Sequence, residues 1–327
     1  MSRRMSIVRT MLTIAFVSAV SGCSSATNPT VLPHSGAAGI REIPLSIGSW
    51  TSKAPMPTPR WGVAAGVVNG IFYAVGGAAQ NHSSLNTVEA YDPATDTWST
   101  RAPMPTARWG MAVGVINNRL YAAGGFGSGN ALSTLEVYNP ATNTWTAKAP
   151  MPTARVEVAA GVIESRLYVV GGYNNRFFST VEAYDPATNT WTTKASMPTA
   201  LTYVGVNVID GILYAVGGYG GNNVVSTVEA YDVSTDTWTA KAPMPTARYA
   251  LATSILGHSL YAVGGWHTGP TNAVEAYDTL TNTWTAKAPM PAPRQELATR
   301  VVGRTLFAVG GDDGNNPLDT VDAYSKI

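Results

Sequence analysis

The 327-residue sequence predicts an all-β fold built from six copies of one four-stranded antiparallel unit, and three observations carry that prediction. Gly 32 and Pro 21 accompany nine Trp and fifteen Tyr while charged residues make up only 13%, the mixture expected of many short strands joined by tight turns. From residue 45 onward glycine pairs recur at steps of 46 to 48: Gly76-Gly77, Gly124-Gly125, Gly171-Gly172, Gly217-Gly218, Gly264-Gly265 and Gly310-Gly311. Tryptophans recur in register with them, at Trp50, Trp98, Trp145, Trp191, Trp238 and Trp284.

The first unit shows the elements in order. Trp61 to Val68 is a small, apolar run, Asn69-Gly70 a two-residue hairpin turn, and Ile71 to Gly77 a second strand ending in the glycine pair. A longer loop from Ala78 to Asn86 leads to a third strand over Thr87 to Tyr91, the turn Asp92 to Asp96, and a fourth strand around Trp98. The first hairpin turn recurs as Asn117-Asn118, Glu164-Ser165, Asp210-Gly211, Gly257-His258 and Gly303-Arg304, mostly residues that tolerate positive φ.

One flat sheet of all these strands is untenable, whereas radial repetition of four-stranded blades buries both faces of each blade against its neighbours. The glycine pair followed by a separated Tyr and Trp, as in Gly76-Gly77, Tyr91 and Trp98, resembles the kelch repeat. That resemblance covers residues 45 to 325 and implies a six-bladed kelch β-propeller over residues 45–327. Departures are small: Phe307 replaces the tyrosine before the last glycine pair, and Asp322 replaces the glutamate of the third strand.

The ends of the array do not match the units between them. Trp50 belongs to a fourth strand with no first three before it, while the last unit, starting near Arg294, stops after Tyr324 without a fourth. Pairing the two fragments makes one blade, closes the ring and removes an exposed strand edge.

Ahead of the array, residues 1–22 show a basic start, an apolar run from Met11 to Val20 and small residues up to Cys23, which is the pattern of a signal peptide. The run is well short of the roughly twenty residues a spanning helix needs. Val20-Ser21-Gly22-Cys23 resembles the bacterial lipobox, which implies a lipid on Cys23, the only cysteine, and a bacterial cell-envelope location. Ser2-Arg3-Arg4 echoes a twin-arginine signal, though Ser6 stands where that motif prefers an aromatic residue. Residues 23–44, rich in small and turn residues, read as a flexible, lipid-anchored tether. Removing Arg3, Arg4 and Arg9 from 21 basic and 20 acidic residues leaves 18 minus 20, or −2, with none of the basic surplus of a nucleic-acid binder. No cofactor, metal or nucleic-acid partner is expected, the membrane is reached through the lipid alone, and the chain is expected to be a monomer.

Because the repeats are near copies, the positions where they differ stand out, and two places differ. At the start of the first strand, Arg60, Arg108, Arg155, Arg248 and Arg294 hold one position and Leu201 breaks the series. Next come Trp61, Trp109, Val156, Thr202, Tyr249 and Gln295, then Gly62, Gly110, Glu157, Tyr203, Ala250 and Glu296. The loops after the glycine pairs are equally individual and contribute Tyr173, Phe177 and Trp266. In a four-stranded meander both places lie at one end of every blade, so they converge on one face around the channel, a face that commonly binds ligands in the kelch family. Guanidiniums with aromatic walls would suit a carboxylate-bearing or sugar-like ligand. Against this, once-per-blade arginines would serve the blades by pairing with Glu89, Glu136, Glu182, Glu229 and Glu275, which leaves Trp61, Trp109, Glu157, Tyr203, Tyr249 and Glu296 as the stronger candidates.

Other chemistries find little support. His34, His82, His258 and His267 lack metal-ligand spacing, and Asp312-Asp313 with Asn315 and Asn316 reads as a polar turn before it reads as a calcium loop. With the only cysteine, Cys23, in the lipobox, the copper-radical chemistry of galactose-oxidase relatives, which needs a cysteine joined to a tyrosine, is not available. The functional expectation is a non-enzymatic binding module that recognises a glycan, peptide or envelope partner through the loop face. The alternative is a sugar-processing enzyme, since some bacterial kelch propellers are sialic-acid mutarotases; acid and base work would then fall to Glu157 and Glu296 beside Arg155 and Arg294. What separates the two is whether those glutamates face the pocket with raised pKa or lie paired with arginine.

Overall fold

The computed structural model describes residues 48–326. Cys23, the expected signal peptide and the whole of the tether lie outside the described residues. The described chain forms six four-stranded antiparallel sheets. Blade one comprises Ala64–Val68, Ile71–Val75, Val88–Asp92 and Thr97–Thr100, from the innermost strand outward. The innermost strands of blades two to six are Ala112–Ile116, Ala159–Ile163, Gly205–Ile209, Ala252–Leu256 and Ala298–Val302. Each inner strand touches the next, and the sixth touches the first, so the sheets close into a six-bladed β-propeller.

Closure occurs at the seam read from the ends of the sequence. Ser49–Lys53 adds to Val321–Ser325 as the outer strand of blade six, with Trp50 opposite Tyr324. A second tie runs around the rim: the Trp98 indole donates to the Ala54 carbonyl at 3.0 Å, Trp145 to Ala102 at 2.9 Å, and Trp50 to Ala288 at 2.9 Å. Each outer-strand tryptophan thus binds its blade to the preceding one, and the seam is tied like every other joint.

The glycine pairs are required by close approach between blades. Gly77 takes φ 110°, and its N–H donates to the Arg108 carbonyl of the next blade at 3.0 Å. A Cβ on Gly76 would lie 2.5 Å from that same carbonyl oxygen, so no side chain fits. Between blades the core is continuous, and one cluster joins Val75 and Tyr73 of blade one to Val113, Leu120 and Tyr138 of blade two. The linker methionines Met56, Met104, Met151, Met197, Met244 and Met290 are all buried in these joints.

One boundary differs from the sequence expectation. The inner strand of blade one starts at Ala64, not Trp61, because Gly62 takes φ 59° and breaks the extended backbone. The second strand likewise ends at Val75, before the left-handed glycine pair. The three residues released from the strand build the site.

Candidate functional site

At the head of each inner strand one residue adopts a left-handed conformation: Gly62, Gly110, Glu157, Tyr203, Ala250 and Glu296, with φ between 52° and 60°. This geometry turns each peptide along the circumference, and the residues join head to tail. Gly62 N–H donates to Glu296 O at 3.0 Å, Gly110 to Gly62 O at 3.1 Å, Tyr203 to Glu157 O at 3.3 Å, Ala250 to Tyr203 O at 3.1 Å and Glu296 to Ala250 O at 2.9 Å. Between blades two and three the donor shifts by one residue, with Val158 N–H reaching Gly110 O at 3.4 Å. Four of the six are not glycine, and each such residue carries roughly 1–2 kcal/mol of left-handed strain that the ring of hydrogen bonds offsets.

The residue types around this collar fit one another. A Cβ on Gly110 would sit 2.9 Å from Glu157 Oε1, and one on Gly62 would sit 3.5 Å from Glu296 Oε2. Each glycine therefore makes room for the carboxyl of the blade beside it. The collar opens into a bore of about 140 Å³ lined by the inner strands, with Glu157, Tyr203 and Glu296 on its wall. Burial pushes the Glu157 carboxyl up to about 8, opposed by a hydrogen bond from the Tyr203 hydroxyl. Tyr203 is itself raised well above the ordinary phenol range, first by burial and then by the charges of Glu157 and Glu296. At neutral pH Glu157 is thus mainly the neutral acid, able to donate as well as accept a hydrogen bond.

The five arginines are placed elsewhere. Arg60, Arg108, Arg155, Arg248 and Arg294 are 0% exposed, each against a carboxylate of its own blade. The pairs are Arg60–Glu89 and Arg155–Glu182 at 2.7 Å, Arg108–Glu136 and Arg248–Glu275 at 3.0 Å, and Arg294–Asp322. Burial pulls Arg60 and Arg108 down to about 10, while the partner carboxylate opposes the shift. The ligand-binding reading of these arginines is corrected: their side chains are buried against carboxylates of their own blades, Arg155 on Glu182 and Arg294 on Asp322. The reason is the left-handed residue itself: in a regular strand residues two apart share a face, and the positive φ at Glu157 and Glu296 interrupts that alternation.

The aromatic candidates divide. Trp61 and Trp109 are 5% and 8% exposed and pack edge-on with ring centroids 4.8 Å apart, so they fill the joint between blades one and two and form no open wall. Tyr249 is buried too, edge-on to Tyr203 at 5.5 Å. Tyr173, Phe177 and Trp266 are half-buried on the loop face. Each residue after a glycine pair bridges to the head of its own inner strand, as in Trp109 with Phe126, Thr202 with Tyr219 and Tyr249 with Trp266. A chain of rings runs from Tyr173 through Phe177 and Tyr219 to Tyr249. Phe126 and Tyr219 were missed in the sequence, although their place directly after the glycine pair varies as much as any. The Asp312-Asp313 loop closes on itself: Asp312 accepts from the Gln295 amide at 3.0 Å and from Gly314 N–H at 2.8 Å, and Asp313 accepts from Asn315 N–H at 2.8 Å.

The repeats and the blade count together decide the family, and comparison agrees. The model of the KLHDC2/KLHL20/DRC7 kelch-repeats domain matches residues 45–195 and again 146–311. The chain belongs to the kelch-repeat family. Among solved structures this kelch propeller is similar to one titled "Structure of YjhT", at 17% identity and TM-score 0.73, over 84% of this chain and 97% of that one. At that identity the likeness is one of fold alone. A search of curated proteins returns no match.

Proposed function

We propose that this kelch propeller is an exported, lipid-anchored binding module of a bacterial cell envelope that takes its ligand at the collar of the channel. The observation that carries the reading is the Glu157 carboxyl, raised to about 8 by burial and hydrogen-bonded by Tyr203 at the head of the bore. A neutral acid beside a phenol offers donors and acceptors at short range, with half-buried rings nearby on the loop face. That combination suits the hydroxyls and apolar faces of a glycan better than a charged peptide. Anchoring at Cys23 rests on its place after Val20-Ser21-Gly22.

Binding of labelled glycans and peptides to the purified protein tests the site. Glu157→Gln, which keeps the shape but cannot ionise, is expected to retain capture near pH 6, whereas Glu157→Leu loses it by tenfold or more; equal capture by the Leu variant would remove the collar from the site. Cys23→Ser is expected to leave the membrane fraction or accumulate as precursor.

The sugar-processing reading is kept because Glu157 meets the condition set for it: the carboxyl lies on the bore, is raised toward neutrality and is not paired with arginine. A mutarotase needs a group that gives a proton to the ring oxygen and one that takes a proton from the anomeric hydroxyl. Exchange between anomers of sialic acid, followed by NMR, is expected to accelerate with the wild type and to fall at least a hundredfold in Glu157→Gln. No acceleration by the wild type would leave binding alone.

A further inference from the structure

Arg300 occupies the third position of the innermost strand of blade six, where the other blades carry Gly66, Gly114, Gly161, Asn207 and Ser254. Its side chain lies on the bore together with Thr253 and Thr299. Nη1 donates to the Thr299 carbonyl at 2.8 Å, and Nη2 reaches past blade one to the Val113 carbonyl of blade two at 3.2 Å. The guanidinium therefore bridges inner strands that are not neighbours. Protein atoms enclose it, while the bore leaves part of its surface open to water.

Its electrostatic situation differs from that of the arginines within the blades. Each of those faces a carboxylate at 3.0 Å or less. Arg300 is pulled down to about 10 by burial, and among the described residues no acid opposes the shift. A guanidinium has five N–H donors and stays charged near neutrality, and the two carbonyls satisfy only part of that capacity. An enclosed cation supported by neutral dipoles alone carries an uncompensated desolvation cost, which a mobile counter-ion relieves. The neighbouring hydroxyls do not fill that role, because Thr253 Oγ1 donates to Val206 O at 3.0 Å and Thr299 Oγ1 is bonded to Ser254 Oγ at 2.9 Å.

We infer that the bore of the propeller is a binding site for one small oxyanion or carboxylate group, with the Arg300 guanidinium as its cation. A bore of about 140 Å³ has room for a sulfate, a phosphate or an acetate. The planar fork of the guanidinium matches two oxygens of such a group. The bore is shared with the collar carboxyls Glu157 and Glu296 at its head, and the cation on its wall is Arg300.

The test is calorimetric titration of the purified full chain with sulfate and, in parallel, with acetate, each against chloride at equal ionic strength, with thermal melts alongside. The wild type is expected to bind one sulfate saturably and to melt higher as sulfate rises. Arg300→Gln and Arg300→Gly, the latter restoring the residue of blades one to three, are expected to lose at least tenfold in affinity and to melt independently of sulfate. Arg300→Lys keeps the charge and is expected to retain binding within about tenfold, which covers the case in which the uncharged variants fold poorly. Glycan capture is measured on the same Arg300 variants, so failure of the bore cation and failure at the collar are read separately. No saturable sulfate binding by the wild type, or equal binding by Arg300→Gln, overturns the inference.

Discussion

Blades one to three and blades four to six join their inner edges in two different ways. In the first half the third residue of the inner strand is Gly66, Gly114 or Gly161, and the neighbouring blade packs aliphatic side chains against it. A Cβ on Gly114 would lie 2.3 Å from Leu167 Cδ1, and one on Gly161 would lie 2.7 Å from Val208 Cγ2. In the second half the same position holds Asn207, Ser254 and Arg300, and each makes a polar bond across the joint or the bore. Asn207 Nδ2 donates to Thr253 O at 2.8 Å, Ser254 Oγ is bonded to Thr299 Oγ1 at 2.9 Å, and Arg300 reaches Val113 O at 3.2 Å. A propeller ring can thus be closed by close packing or by directional bonds, and only the second leaves polar groups where a ligand can find them.

The sharpest contrast lies one layer outward. Blade three pairs Arg155 with Glu182, whereas blade four has Leu201 in place of the arginine and leaves Glu229 with the Thr199 hydroxyl at 2.7 Å. Burial accordingly raises Glu229, with Thr199 opposing. Glu182→Gln strands a buried guanidinium and is expected to cost about 3–5 kcal/mol in denaturant unfolding, while Glu229→Gln stays within about 1 kcal/mol. Equal costs would show that the arginine pairs do not set the stability of their blades.

Next in size is a pH effect confined to the collar. The folded pKa of Glu157, about 8, lies above its ordinary 4.5, so the native state holds this proton more tightly than the unfolded chain. Its contribution is complete below about pH 4.5 and is lost as pH rises toward 8, a drop of up to a few kcal/mol. Melting curves of the wild type minus those of Glu157→Gln are expected to slope downward over that window, and a flat difference would place the carboxyl in water.

The smallest effects compare the two kinds of joint directly. Gly114→Ala is expected to cost about 1–3 kcal/mol through overpacking against Leu167, and Ser254→Gly about 1 kcal/mol through one lost hydrogen bond. Gly110→Ala is expected to shift the Glu157 carboxyl and weaken ligand capture several-fold, while Gly62→Ala, with Glu296 at the looser 3.5 Å, changes capture less. If the order of either pair reverses, the packing account of that half is wrong.

Much of this was legible in the residues. The turn pairs, the glycine pairs and the displaced Trp50 each carry a local or periodic signal, so blade number, strand order and the closing seam follow from the chain alone. Glu157, Tyr203 and Glu296 stood out because they vary at a position whose neighbours repeat. The arginines carried two readings that spacing could not separate, since pairing with Glu89 or with a ligand demands the same residue at the same step. Arg300 lies outside the two variable places, the start of the first strand and the loop after the glycine pair, although comparison with Gly66, Gly114 and Gly161 marks it.

What the sequence determined by itself was the repeat: hydrophobic alternation, positive-φ turns and periodic glycines are local properties, and six copies leave ring closure as the way to bury every blade face. What tertiary structure decided was direction and company. Left-handed collar residues turn Glu157 and Glu296 into the bore while Arg155 and Arg294, two residues earlier, run back into their blades to Glu182 and Asp322. Whether a charge is neutralised within its blade or left facing the bore depends on which groups from other blades arrive beside it, and those lie as far apart in the chain as Arg300 and Val113.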